Sequence, residues 1–243
     1  MPISDLSERQ QKLFSAIVKE YIKQAKPVGS QSLVEKYELE VSPATVRNEM
    51  VRLIDEGLLE KPHASAGRVP TTTGFRFYIN ELLEEEELPV IEEVSIKQRL
   101  WPKRFTKSKL LHEASLALAD SARALALVLA GDSLFYAGAV NILEHPEFFD
   151  IDVTRTVLHL LDRRDLVSEI FAKVVSDQGV NTIIGSELGL SNLSPCGLVF
   201  SHFETKEGLG TVGVLGPNRM DYAKMFPRVR YVAELLAELG REW

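Results

Sequence analysis

Of the 243 residues, only Cys196 is a cysteine. One thiol cannot close an intramolecular disulfide, and it excludes zinc sites built from several cysteines. Positive charge is not in excess either. The chain has 28 Lys and Arg against 35 Asp and Glu, a formal net charge of −7. That argues against a protein that coats nucleic acid by bulk charge, and leaves open a specific binder whose charge is local. No window approaches eighteen uninterrupted apolar residues, so no transmembrane helix and no membrane partner are expected. Met1 to Gln10 is polar, without the apolar core of a secretory signal, and the expected compartment is the cytoplasm.

Catalytic and metal signatures are equally sparse. His63, His112, His145, His159 and His202 are scattered, with no HExxH pair and no cysteine at ligand spacing, so neither a metal nor a cofactor is expected. There is no Gly-x-Ser-x-Gly elbow. Gly208 to Gly213 matches GxGxxG, but the glycines run into Val214, Leu215 and Pro217. That reads as strand, not as the strand-to-helix turn a dinucleotide site requires. The chain is read as a non-enzyme.

What is present is an ordinary globular composition, 45% hydrophobic, of a length that suits one or two domains. Charge divides the chain into three blocks. Residues 1–80 carry 11 basic and 10 acidic side chains, residues 81–93 carry seven Glu and no basic residue, and the remainder is nearly balanced. The whole negative excess therefore sits in one short stretch, and Pro89 marks a boundary beside it. The expected division is 1–85, a linker 86–105, and 106–243.

In the first block Ser7 caps a helix whose apolar residues, Leu13, Phe14, Ile17, Val18, Tyr21 and Ile22, share one face. Pro27-Val28-Gly29 breaks it, and Ser30 opens a short second helix. Ser42-Pro43 is a hydroxyl cap followed by proline at the first helical position. It predicts a third helix to about Glu56, ended by Gly57. Val46, Met50, Leu53 and Ile54 face inward, leaving Thr45, Arg47, Asn48 and Arg52 outside. Leu58–Lys61 and Arg68–Pro70 are short extended pieces flanking the loop Pro62–Gly67, and a fourth helix starts near Thr72.

Three helices and a hairpin make a winged helix-turn-helix, and its chemistry suits double-stranded DNA. The N-terminal half of a recognition helix reaches base edges in the major groove. Arginine pairs with guanine and asparagine with adenine, so Arg47 and Asn48 are candidate base readers with Arg52 beside them. Ser42 and Thr45, at a helix N-terminus, can bond phosphate. In the wing, His63, Ser65, Gly67 and Arg68 are the candidates for backbone or minor-groove contact. The competing reading is that these side chains only solvate an exposed helix face.

Three segments carry a specific resemblance: Val28-Gly29-Ser30; Val41-Ser42-Pro43-Ala44-Thr45-Val46-Arg47-Asn48-Glu49-Met50; and Gly57 through Pro70, ending Pro62-His63-Ala64-Ser65-Ala66-Gly67-Arg68-Val69-Pro70. They closely resemble the bacterial heat-inducible transcription repressor family HrcA. The resemblance implies repression of chaperone operons through an inverted-repeat operator, modulated by the GroEL-type chaperonin.

The remaining residues predict an α+β domain. Helices are expected over 107–122, from Asp152 or Thr154, from about Asp165 to Ser176, and over roughly Pro227 to Gly240. Strands are expected at 125–129, 134–137, 181–184, 198–202 and 210–215. Gly213-Val214-Leu215-Gly216-Pro217-Asn218-Arg219-Met220-Asp221-Tyr222 resembles the same family's C-terminal signature, which implies a GAF-like domain. Family members carry a long inserted dimerisation segment there. In this chain Val128–Ser133 passes directly into Leu134-Phe135-Tyr136. A two-fold operator still demands a homodimer, and the apolar helices 107–122 and 228–240 are the expected interface. The alternative function is a small-molecule-responsive regulator whose GAF-like domain is the sensor.

Overall fold

The computed structural model describes residues 6–37, 41–63, 66–174 and 179–242. The chain folds as two compact units, Met1–Glu84 and Glu85–Trp243.

The first unit holds α1 (Glu8–Gln24), α2 (Ser30–Tyr37), α3 (Pro43–Asp55), β1 (Leu59–Glu60), β2 (Val69–Pro70) and α4 (Thr72–Phe77), which runs on into a wider turn at Tyr78–Leu82. Ser7 caps α1 in a reciprocal box with Gln10: its hydroxyl accepts from the Gln10 N–H, and its own N–H donates to the Gln10 side chain. Leu13, Phe14, Ile17 and Val18 on α1 are buried with Leu33, Val46, Met50, Leu53, Phe75 and Phe77. Each such side chain contributes about 1.5–3 kcal/mol by leaving water. Two buried carboxylates tie the helices together. Glu20 of α1 accepts from Lys36 of α2, and Glu49 of α3 accepts from Arg9 of α1 at 2.5 Å and from Gln10 at 3.0 Å.

The wing is short. Leu59 pairs with Pro70 and Glu60 with Val69, antiparallel. Its base is fixed by a second pairing: Val28 N–H donates to Arg68 O at 2.8 Å, and Arg68 N–H donates to Val28 O at 2.9 Å. The segment before α2 is thus joined to the wing base by a single antiparallel bridge. Thr71 then caps α4 by accepting from Gly74 N–H at 2.9 Å, while its hydroxyl donates to Gly57 O at 2.6 Å.

In the second unit a five-stranded sheet lies between two helical layers. The strands are β3 (Leu125–Ala130), β4 (Ser133–Ala137), β5 (Val180–Ile184), β6 (Cys196–Thr205) and β7 (Gly208–Pro217), in the order β4-β3-β7-β6-β5, antiparallel throughout. The helices are α5 (Val90–Leu100), α6 (Lys107–Ala122), α7 (Ile151–Leu161), α8 (Arg164–Phe171) and α9 (Tyr222–Leu239). On one face Leu125, Leu127, Leu198, Phe200 and Leu215 pack with Val153, Val157 and Leu160 of α7 and Phe171 of α8. The other face meets α6 and α9. Every residue of β3 is buried, as expected of a strand covered on both sides. Among the described residues, no helix is long and apolar enough to cross a membrane.

Three expectations need correction. First, residues 86–105 are more than a linker: Val90–Leu100 is helical, and Ile96 and Leu100 are buried in the packing of α5 on α6. Second, the last helix begins at Tyr222, so Pro227 lies inside it. Proline has no N–H to give the carbonyl four residues back. That carbonyl, of Ala223, accepts instead from the N–H of Glu86 at 3.0 Å, and the helix continues. Third, the apolar faces of 107–122 and 228–240 are not free to form a dimer. Leu110, Leu111, Leu118, Val232, Leu235 and Leu236 are buried within the unit, covering its sheet. The third expected helix, Asp165–Ser176, ends at Phe171, and its last two residues fall outside the described ones.

Candidate nucleic-acid interface

The helix α3 is built to present a face. Ser42 Oγ accepts from the Thr45 N–H at 3.1 Å and lies 3.0 Å from Thr45 Oγ1, so both hydroxyls are engaged at the helix start. Pro43 occupies the first helical position. Val46, Glu49, Met50 and Leu53 point inward. The opposite side, Ala44, Arg47, Asn48, Val51, Arg52 and Asp55, is exposed. These six follow the i, i+3, i+4, i+7 spacing of one helical stripe.

Ser42, Thr45, Arg47, Asn48 and Arg52 therefore stand together on α3 or at its start. Arg52 is held on one side by Glu49 at 3.5 Å. Two members of the stripe went unremarked in the sequence. Ala44 and Val51 are apolar and exposed, Val51 to 45%, where a thymine methyl offers matching chemistry. The signal was available, since they fall three residues before and four after Arg47.

The wing residues also serve the fold. His63 is exposed at the end of the hairpin, and Ser65 lies outside the described residues. Gly67 is required by the fold. A Cβ there would stand 2.5 Å from Val28 O and 2.8 Å from the Pro27 carbonyl carbon. The absent side chain lets the wing close on the start of α2, whatever else approaches it. Arg68 turns back on the wing, with Nη1 donating to Ala66 O at 3.1 Å and to Gly67 O at 3.3 Å. Its Nε is buried without a partner. Arg47 and Arg68 border a cleft of about 180 Å³, with Gly29, Ser30 and Gly67 on its walls. The exposed side of α3 and the wing base thus share one basic recess.

The second unit has a different constellation. Arg219 Nε donates to Glu147 Oε1 at 2.5 Å and Nη2 to Oε2 at 3.0 Å, with both side chains largely buried. Tyr222 OH donates to Asn218 O at 2.6 Å, and Asn218 N–H to Pro195 O at 2.8 Å. The segment Gly213–Tyr222 is thus a staple that seats α9 against β6. Burial, with Arg219 nearby, holds His145 below the ordinary histidine value. Burial, with the Glu147 carboxylate, pushes the Cys196 thiol up to about 12. A thiol so protonated is a packing group, not a nucleophile. Among the described residues no cluster of His, Cys, Asp and Glu could hold a metal ion.

Residues 44–226 match the family model described as HrcA protein C terminal domain. Among curated relatives, the chain is 26% identical to the heat-inducible transcription repressor HrcA of Carboxydothermus hydrogenoformans over 336 aligned positions, covering 96% of this chain and 98% of the relative. It is 27% identical to that of Syntrophobacter fumaroxidans over 344 positions, covering 99% of each. The alignments are longer than the 243 residues of this chain, so a long stretch of each relative has no counterpart here. A crystal structure described as that of a hypothetical protein at 2.2 Å resolution superposes with a TM-score of 0.77 over 98% of this chain and 99% of that one. At 19% identity, that likeness bears on the fold alone.

Proposed function

The chain belongs to the HrcA family of heat-inducible transcription repressors, and from that membership we propose that it represses chaperone operons by reading an inverted-repeat operator with α3. The observation that carries the reading is the exposed stripe on α3. It combines two base-pairing side chains, Arg47 and Asn48, with two apolar ones, Ala44 and Val51, on a helix whose other side is locked into the core. In this reading Ser42, Thr45 and Arg52 engage the backbone around the bases, and His63, Ser65, Gly67 and Arg68 bring the wing alongside. An inverted repeat presents two equivalent half-sites, so the repressor acts as a homodimer.

The first block of the chain carries only one net positive charge, so affinity must come from placed contacts more than from bulk attraction. The assay is fluorescence anisotropy of a labelled inverted-repeat duplex against a scrambled one. A preference of about a hundredfold or more, a threshold set below the roughly 10³–10⁷-fold typical of specific binders, is expected. With about four to six phosphates neutralised per half-site, the salt dependence should have a log–log slope near −0.9 per phosphate. Equal affinity for both duplexes, with and without added GroEL-type chaperonin, defeats the reading. Release of the operator that chaperonin reverses supports the modulation by chaperonin, and indifference to chaperonin removes that part.

One observation favours a second reading, in which a small polar ligand is sensed by the second unit. Asn181 Nδ2 and His202 Nε2 are buried without hydrogen-bond partners. The strand register sets Asn181 beside Phe200, and His202 beside Thr211, whose hydroxyl lies 2.8 Å from Nδ1. The ring of Phe171 lies 5.1 Å from that of Phe200. A ligand that raises the melting temperature of the wild type but not of Asn181→Leu would support this reading.

A further inference from the structure

The motif Val28-Gly29-Ser30, at the start of α2, has no part in the reading of DNA by α3. The other helices of the first unit each begin at a hydroxyl that accepts an N–H of the first turn: Ser7 before α1, Ser42 before α3 and Thr71 before α4. The helix α2 begins instead at Gly29, whose carbonyl accepts from the Leu33 N–H at 3.2 Å. Glycine has no side chain to offer the helix start. Among the described residues, the N–H groups of Ser30, Gln31 and Ser32 make no hydrogen bond. Such groups point out of the helix end, which carries a partial positive charge.

Further observations meet at the same point. Gly29 and Ser30 line the cleft of about 180 Å³ that Arg47 and Arg68 border. That is several times the roughly 30 Å³ a water molecule takes in the liquid. Ser30 is only 8% exposed, yet its hydroxyl makes no hydrogen bond among the described residues. A polar group so enclosed ordinarily has a partner. A Cβ built on Gly29 meets nothing within 4 Å, so the room there is not taken up by the fold. Two guanidinium groups stand on the walls of the cleft and, among the described residues, no carboxylate does. Arg68 keeps its Nε without a partner, and Arg47 makes no ion pair among the described residues.

We propose that this cleft binds one phosphate group, a phosphodiester of the operator backbone. The Ser30 hydroxyl and the N–H groups of the first turn of α2 donate to its free oxygens, and Arg68 adds charge from the wing side. A helix start with arginine beside it is an anion site by dipole and by hydrogen bond together. Arg47 belongs both to the mouth of the cleft and to the exposed stripe of α3, so a phosphate held here lies beside the bases that α3 reads. In a helix-turn-helix the first helix crosses the backbone while the second enters the groove. Phosphate contacts fix register and carry no sequence information. The cleft therefore seats α3, while Arg47 and Asn48 read the bases. The inference rests on the reading of the chain as a repressor. Free phosphate shares the chemistry, and the test separates the two sources.

The test uses the full chain and operator duplexes in which one phosphate of each half-site at a time is replaced by an uncharged methylphosphonate. At one position the replacement should weaken wild-type binding by about tenfold. Ser30→Ala should bind the unmodified operator about tenfold more weakly and be indifferent to the replacement at that position, while the other positions keep their cost. Gly29→Val, which narrows the cleft, should behave alike. Both losses should be equal on operator and scrambled duplexes. Gly29 has open space at its Cβ and Ser30→Ala removes an unbonded hydroxyl, so both variants fold, as circular dichroism can verify. Without DNA, inorganic phosphate at constant ionic strength should shift the amide resonances of Ser30, Gln31 and Ser32 saturably in the wild type and not in Gly29→Val. Operator preference with every methylphosphonate costing the variants what it costs the wild type overturns the cleft and leaves the repressor reading intact. Saturable shifts in a chain with no operator preference uphold the phosphate site and remove the repressor reading. A silenced position without any response to inorganic phosphate upholds the cleft as a site for the DNA backbone alone.

Discussion

Gly67→Ala separates a fold role from a DNA role at the wing. An alanine Cβ would lie 2.5 Å from Val28 O, 2.6 Å from Val28 C and 2.8 Å from Pro27 C. These are backbone atoms, so no side-chain rotation relieves the overlap. The wing base must move away from residues 27–28, which disrupts the two hydrogen bonds joining Val28 and Arg68. Two net backbone bonds contribute about 1–3 kcal/mol together, and overpacking adds about 1–3 kcal/mol. The first unit should lose about 2–6 kcal/mol, a fall in its melting temperature on the order of 10 °C or more. Amide exchange at Val28 and Arg68 should accelerate even where the rest of the unit stays protected. The measurement is calorimetry together with hydrogen exchange, both without DNA. Unchanged melting and unchanged protection at these two amides would refute the close-approach argument and return Gly67 to a DNA-contact role.

Arg47→Ala should cost about 1–3 kcal/mol at one operator base pair and relax preference there. Equal losses on operator and scrambled duplex in the anisotropy assay would contradict base reading. Arg219→Ala removes one partner of a bidentate ion pair and strands the Glu147 carboxylate, and should destabilise the second unit by about 3–5 kcal/mol in urea. A loss below about 1 kcal/mol would show the pair to be dispensable. His145 sits below 6.5 in the folded chain, chiefly through burial, so folding favours its neutral form. The stability this contributes is complete above the unfolded value and declines as pH falls below about 6.5 toward the folded value. Replacement by glutamine should flatten that part of the pH–stability curve, and an unchanged slope assigns the loss to other groups.

Much of the first unit was legible because its signals are local. Ser7, Ser42-Pro43 and Gly57 mark helix ends through bonds made within a few residues, and the 3.6-residue period of α3 separates core from surface. Features that depend on distant partners were not legible. Pro227 read as a helix start because proline cannot donate, and the donor that replaces it comes from Glu86. The helix α5 was hidden because its apolar residues lie on two sides and its beginning merges with a run of glutamates. Gly67 suggested access for DNA because a glycine announces close approach without naming what approaches; here the neighbour is Val28, some forty residues earlier. Ala44 and Val51 share the period of Arg47 and Asn48, but a small apolar side chain carries no hydrogen-bonding signature of its own.

The hairpin between β3 and β4 has a consequence for how this architecture can vary. Its strands pair to the very tip, Ala130 opposite Ser133, with Gly131 in the left-handed region at the turn. Arg164 secures that tip from outside, donating to Gly131 O at 2.7 Å and pairing with Asp132 at 3.0 Å. The chain leaves the inner strand β3 and enters the edge strand β4 at adjacent points, so a guest segment spliced there would be tethered at neighbouring ends and leave the sheet's register untouched. Modular growth at such a tip gains a whole new body at the cost of one turn, and its loss needs only two residues to seal the seam.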